Sequence, residues 1–190
     1  MRLFLNNRGQ SLLEAIFAIG LLLIAVSAVL GLAIANSAGQ SASELQLVAN
    51  NLAREGIEVV RNARDTNWLA GQAWDTGLVG DGTAIPNFDK NTNTWTLDFA
   101  FNQPTIIYLA GGVYSHSGSG QPTIYRRLLT LRNVCRETSG VNIGAESVAA
   151  GISCTSGIKV GIKIESKVNW VERGRDHSIT LASLIYAWKK

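Results

Sequence analysis

One carboxylate stands alone in a long apolar stretch. Glu14 is the single charged side chain in residues 12–35, LLEAIFAIGLLLIAVSAVLGLAIA, and no further charge follows until Glu44. A carboxylate placed in hydrocarbon costs at least about 2.5–3.5 kcal/mol and normally has a partner. Arg2, Arg8 and the N-terminal amine stand before the run. Two sulfurs are the next reactive pair: Cys135 and Cys154 enclose a loop containing Gly140, Gly144 and Gly151. Outside the cytoplasm they can form a disulfide worth about 3 kcal/mol; two free thiols are the alternative.

Other combinations of reactive types do not assemble into a site. Asp176, His177 and Ser178 have the types of a hydrolytic triad, but consecutive strand residues point to opposite faces and cannot converge. His116, in Ser115-His116-Ser117-Gly118, reads as a solvated turn residue. Asp89, Asn91 and Asn93 copy the first three ligand positions of a calcium loop. Thr94 stands where that loop needs Gly, and Ala100 where it needs Glu. Two Cys and two His leave no ligand to spare for a Cys/His zinc cluster of the usual four-ligand kind, and no such site is assigned. Neither a G-x-S-x-G elbow, an H-E-x-x-H pair nor a phosphate loop occurs. Arg126, Arg127, Arg132 and Arg136 gather around one strand, with Arg126 and Arg132 on one face and Arg127 pointing away. They read as strand-edge charge, not as a nucleic-acid surface, since no aromatic platform flanks them beyond Tyr125. No catalytic residue, metal site or cofactor is assigned, and the chain is not read as an enzyme.

The elements that position these residues follow from patterning. The chain has 190 residues, 46% hydrophobic and 16% charged, with a net charge of +3. That excludes a disordered chain and points to a membrane segment. Removing residues 1–9, which hold Arg2 and Arg8, leaves only +1, so the bulk charge implies no strongly basic surface. The 24 residues of the apolar run would span roughly 36 Å as a helix, enough for a bilayer core of about 30 Å. With the positive charges before it, the N-terminus is expected in the cytoplasm and the rest outside. The run is open to three readings: a plain anchor, a secretory signal cleaved at Ala33-Ile34-Ala35, or a segment organised around Glu14. It is long for a signal core, which is roughly 7–15 residues.

Beyond it, Leu45, Val48, Leu52, Gly56, Val59 and Ala63 recur at spacings of three and four, widened by Ala49, Ala53, Ile57 and Val60. One helix is predicted from about residue 10 to 64, membrane-like in its first half and amphipathic in its second. Residues 66–190 read as a β-rich head. Strands are predicted around Trp95–Phe99 and Ile106–Leu109, and over 124–134, 158–172 and 178–188, with a turn at 173–176. Alternation in 158–172 puts Val160, Ile162, Ile164, Val168 and Trp170 on one face and charges on the other; those charges are expected to guard a sheet edge. The fold class is α+β: a long N-terminal helix packed on a C-terminal antiparallel sheet.

Arg8-Gly9-Gln10-Ser11-Leu12-Leu13-Glu14, followed by the apolar helix, resembles the processing site of type IV prepilins and pseudopilins. The stretch Leu52-Ala53-Arg54-Glu55-Gly56-Ile57-Glu58, running on to Asn67-Trp68, is similar to V-type minor pilins. So is the closing hairpin with Trp170, Glu172-Arg173-Gly174-Arg175 and Trp188. The resemblance implies a leader over 1–9, cleavage after Gly9 by a prepilin peptidase, and methylation of the new amine on Gln10. It implies a filament-core helix over 10–35, an amphipathic second half over 36–65 and an extracytoplasmic head over 66–190. Gln10 departs from the commoner Phe, and Ser11 from a frequent Thr. Glu14 falls at the fifth mature position, where the family's Glu is thought to meet a neighbour's amine. A disulfide-bounded loop near the C-terminus is also common there, as Cys135 and Cys154 would provide. The implied function is a structural subunit of a pilus-like filament in the envelope, a minor pilin or pseudopilin. Its partners would be the peptidase, other subunits through the N-terminal helix, and the membrane. The rivals are a pseudopilin of a type II secretion system and a singly anchored extracytoplasmic binding protein.

Overall fold

A computed structural model of the chain describes residues 8–78, 82–118, 120–149, 153–155 and 157–187. Residues 1–7 of the expected leader and Trp188 lie outside the described residues. The chain divides into two units, residues 1–45 and 46–190.

A single helix, α1 (Arg8–Leu69), begins in the first unit and ends in the second. Proline is absent from its whole length, so no backbone donor is lost and no carbonyl is crowded. In the first unit its large apolar side chains, from Leu12 to Ile34, are exposed. Its most apolar window has a mean hydropathy of 2.7 with none of it buried, so this helix is long and apolar enough to cross a membrane.

In the second unit the same helix turns amphipathic. Ala49, Leu52, Ala53, Ile57, Val59 and Val60 are buried, at the three-and-four spacing that puts side chains on one stripe. The helix ends five residues beyond the predicted Arg64 because its stop signal lies later. Gly71 adopts φ +70°, its N–H bonds to the Trp68 carbonyl, and the Gln72 N–H bonds to that of Asn67. This is the Schellman arrangement, in which a left-handed glycine just past the helix lets the last carbonyls find donors.

Among the described residues eight strands form one antiparallel sheet: β1 (Gly82–Asp89), β2 (Thr94–Asp98), β3 (Thr105–Ala110), β4 (Val113–Ser115), β5 (Gln121–Glu137), β6 (Glu146–Val148), β7 (Gly157–Glu172) and β8 (Arg175–Tyr186). Long β5 is its axis. One side of β5 pairs with β7 over most of its length, and β7 pairs onward with β8. The other side pairs in turn with β3, β1 and β6; β4 joins β3, and β2 joins β1.

Three expectations need correction. First, β7 is an interior strand between β5 and β8, so its charges guard no edge: Lys163, Glu165 and Lys167 lie on one face, Lys159, past a bulge, pairs with Asp75 at 2.7 Å, and β8 takes the edge. Second, β1, β4 and β6 are strands in stretches where no strand is predicted. β1 carries Pro86, which argues against a strand. Pairing with β5 covers only Gly82–Ala84, and Pro86 falls beyond it, where β1 pairs with β2 alone. Third, the closing turn is only Arg173-Gly174, both at positive φ. Arg175 and Asp176 already pair with Glu172 and Val171, as the tight two-residue hairpin requires.

The core lies between the helix stripe and one sheet face: Ile57, Val60, Leu78, Leu129, Leu131, Ile162, Ile164 and Ile185 cluster there. Helix and sheet approach closely at Gly56. A Cβ on it would stand 2.7 Å from Leu129 Cδ2 and 2.8 Å from Ser166 Oγ.

Candidate functional site

Gly9 and Gln10 lie in the first turn of α1, and Glu14 follows one turn later. The Glu14 side chain is exposed, among exposed Leu13, Ile16 and Phe17. It has no ion-pair partner among the described residues. The three residues lie on one helical segment. Chemically, the segment offers one acceptor-only carboxylate on an otherwise apolar rod. In a low-dielectric setting it can be satisfied by a donor or by reaching the interface.

Cys135 and Cys154 are joined by a disulfide, with Cα atoms 5.6 Å apart. β5 supplies Cys135, and the loop after β6 returns Cys154 to it. Next to the bridge, Arg136 binds Glu146 at 2.6 Å, and the Tyr186 hydroxyl donates to the same carboxylate at 3.1 Å. The hydrogen bond from Arg136, then that from Tyr186, holds the Glu146 carboxyl below its ordinary pKa. β6, the disulfide and this ion pair thus fasten one end of the sheet.

A buried polar cluster was not anticipated. Arg127 on β5 has no exposed surface. Its Nη1 donates to the Leu52 carbonyl at 2.7 Å and to Glu55 Oε1 at 3.0 Å, both on α1. Its Nε lies 3.4 Å from His116 Nε2. The His116 ring, largely buried, has Nδ1 3.1 Å from the Ile106 carbonyl. A carbonyl can only accept, so Nδ1 carries the proton and Nε2 offers its lone pair to Arg127. Burial, and then the charge of Arg127, push His116 down to about 4. His116 is therefore a core histidine and not a solvated turn residue, and Arg127 is a core cation and not edge charge. The face assignment predicted for Arg127 holds; it points away from exposed Arg126 and Arg132, and that direction is into the helix.

Asp176, His177 and Ser178 do not converge. His177 stacks on Trp170, with ring centroids 5.4 Å apart, while its two neighbours face the other side of the sheet. No group of three or more His, Cys, Asp or Glu able to hold a metal occurs among the described residues. No family model, curated protein or solved structure matches the chain.

Proposed function

We propose that the protein is a minor pilin or pseudopilin, a structural subunit of a type IV pilus-like filament in the cell envelope. The observation that carries this reading is a coincidence on one element. α1 bears Gly9, Gln10 and Glu14 in the register of a prepilin processing site. It continues as a bare apolar helix long enough for a bilayer, and its last turns supply the helix stripe of the head's core. A plain anchor needs neither the Glu nor the continuity. In this reading the prepilin peptidase removes residues 1–9 and the new Gln10 amine is methylated. The helix holds the subunit in the membrane with the head outside, and then packs against the helices of other subunits. The disulfide supports an extracytoplasmic head, because such bonds persist in oxidising compartments.

Intact-mass measurement of protein extracted from the envelope tests this. The expected chain begins at Gln10 and carries one added methyl group, and Gly9→Val leaves residues 1–9 in place. A mature chain beginning at Asn36 would mean signal-peptidase cleavage, and an uncut chain would mean a simple anchor. Either result would sink the proposal.

A further inference from the structure

The sheet has a second face. Arg127, Leu129 and Ser166 meet α1 at Gly56, so the alternate residues of β5 and β7 point away from the helix. On that open side, Arg126 of β5, Asn169 of β7 and Ser178 of β8 are register partners in one row across three strands. Lys167 lies two residues before Asn169, and Asp176 two residues before Ser178, so both share the face. With Ile124 and Val171 at the rim, these residues line an open dish of about 480 Å³.

His177, which also lines the dish, is spent in its stack on Trp170 and its approach to Glu172, but the other charged groups are not. Arg126 and Lys167 are exposed cations with no ion-pair partner among the described residues, and Asp176 likewise has none. Asn169 Oδ1 is buried with no hydrogen-bond partner. By contrast, Lys163 and Glu165 on the same face are already paired at 2.7 Å. The charges are also separated along the strands. The two cations occupy one end, close enough diagonally, at about 7–8 Å between their backbones, for both long side chains to reach one anionic group. Asp176 lies about 7 Å further along from the Arg126 row.

A ligand matching this order carries one anionic group at the cation end and hydrogen-bond donors at the other. Asn169 Oδ1 and Asp176 accept from such donors, Ser178 can both give and accept, and the half-exposed Ile124 and Val171 offer apolar surface to C–H groups. A sugar acid has that layout: one carboxylate, several hydroxyls and an apolar ring face. A nucleic acid does not. Its successive phosphates would meet Asp176, and backbone binding draws on many cations, about 6–10 in a typical contact set. We propose that this dish binds an acidic saccharide, with Arg126 and Lys167 on its carboxylate and Asn169, Ser178 and Asp176 on its hydroxyls. The proposal is independent of whether the chain enters a filament.

The test is calorimetric titration of the full chain in detergent. The probes are trisaccharides ending in glucuronate, galacturonate or N-acetylneuraminate, together with neutral maltotriose and a short oligothymidylate. At least one acidic trisaccharide should bind with a Kd of about 1 mM or tighter. Arg126→Gln and Lys167→Gln should each weaken it by about tenfold, the loss expected for one charge-assisted hydrogen bond. Both side chains are exposed, so both variants should keep the wild-type circular dichroism spectrum, and Lys163→Gln should leave binding unchanged. Binding of maltotriose as tight as that of the acids, or binding insensitive to both substitutions, would overturn the site. So would binding of the oligothymidylate alone, or of no acidic probe.

Discussion

A guanidinium without exposed surface is costly unless its donors are filled, because burial favours the uncharged form. Arg127 answers that demand in part, through Nη1, with groups far away in sequence: the Glu55 carboxylate is 72 residues distant and the Leu52 carbonyl 75, while Nη2 is buried with no hydrogen-bond partner. His116 completes the arrangement only while neutral, since its Nε2 lone pair faces a cation on β5 while the Glu55 carboxylate on α1 faces that same cation. The consequence is a pH dependence with a definite sign. The pKa of His116 falls from 6.5 to about 4 on folding, so between those values the unfolded chain binds the extra proton. Stability is therefore full above about 6.5 and is lost as pH falls toward 4, by on the order of 3 kcal/mol from this group. Denaturation midpoints measured from pH 7.5 to 4 should show a steeper acid loss in the native chain than in His116→Gln; equal slopes would remove His116 as the cause. Neither residue was legible as a core group. Strand alternation gives the direction of Arg127 but not what lies on that side, and the Ser-His-Ser-Gly setting of His116 gives no periodicity at all. Their burial is fixed by contacts between α1, β3, β5 and the turn after β4, and no local pattern encodes such contacts.

Elements were legible in proportion to their own regularity. α1 shows at every fourth residue, and β5, β7 and β8 alternate long enough to stand out. β1, β4 and β6 are short, or carry Gly82 and Pro86, and exist because a neighbour offers an unpaired edge, β5 to β1 and β6 and β3 to β4. The helix–sheet contact illustrates what spacing alone leaves open. Gly56 occupies a stripe position where any small residue keeps the pattern, yet Leu129 and Ser166, both fully buried, stand where its Cβ would be. Ala at this position improves helix propensity by about 1 kcal/mol, but overpacking typically costs about 1–3 kcal/mol. The neighbours are side-chain ends in a closed core and can yield only by moving the helix, so the overpacking term prevails. Gly56→Ala should lower stability by about 1–2 kcal/mol in chemical denaturation, whereas Gly39→Ala, with nothing near its Cβ, should raise it slightly. A neutral or stabilising Gly56→Ala would show that the contact is looser than the side chains imply.

At the scale of the molecule, two surfaces are left without a partner: the apolar length of α1 and the open sheet face. The first is the larger problem for a chain in water, because its large side chains from Leu12 to Ile34 are about half to three-quarters exposed. A bilayer covers such a surface without specificity, and apolar packing alone would let neighbouring helices slide past one another. In the proposed filament, Glu14 would remove that freedom. In a filament its carboxylate would meet the Gln10 amine of an adjacent subunit in a low-dielectric core, and a subunit slipped by one turn would leave both charges unpaired. Breaking such a pair costs roughly 3–5 kcal/mol, enough to fix the axial register. Glu14→Ala should therefore be cut after Gly9 and inserted as efficiently as the native chain, yet be depleted from sheared filaments. Glu14→Gln, which keeps a hydrogen-bond acceptor but no charge, should fall between them. Quantitative immunoblots of membrane and filament fractions separate the outcomes. Loss of cutting in Glu14→Ala would assign the residue to peptidase recognition. Equal incorporation of all three chains would mean that the carboxylate only reaches for the membrane interface and sets no register.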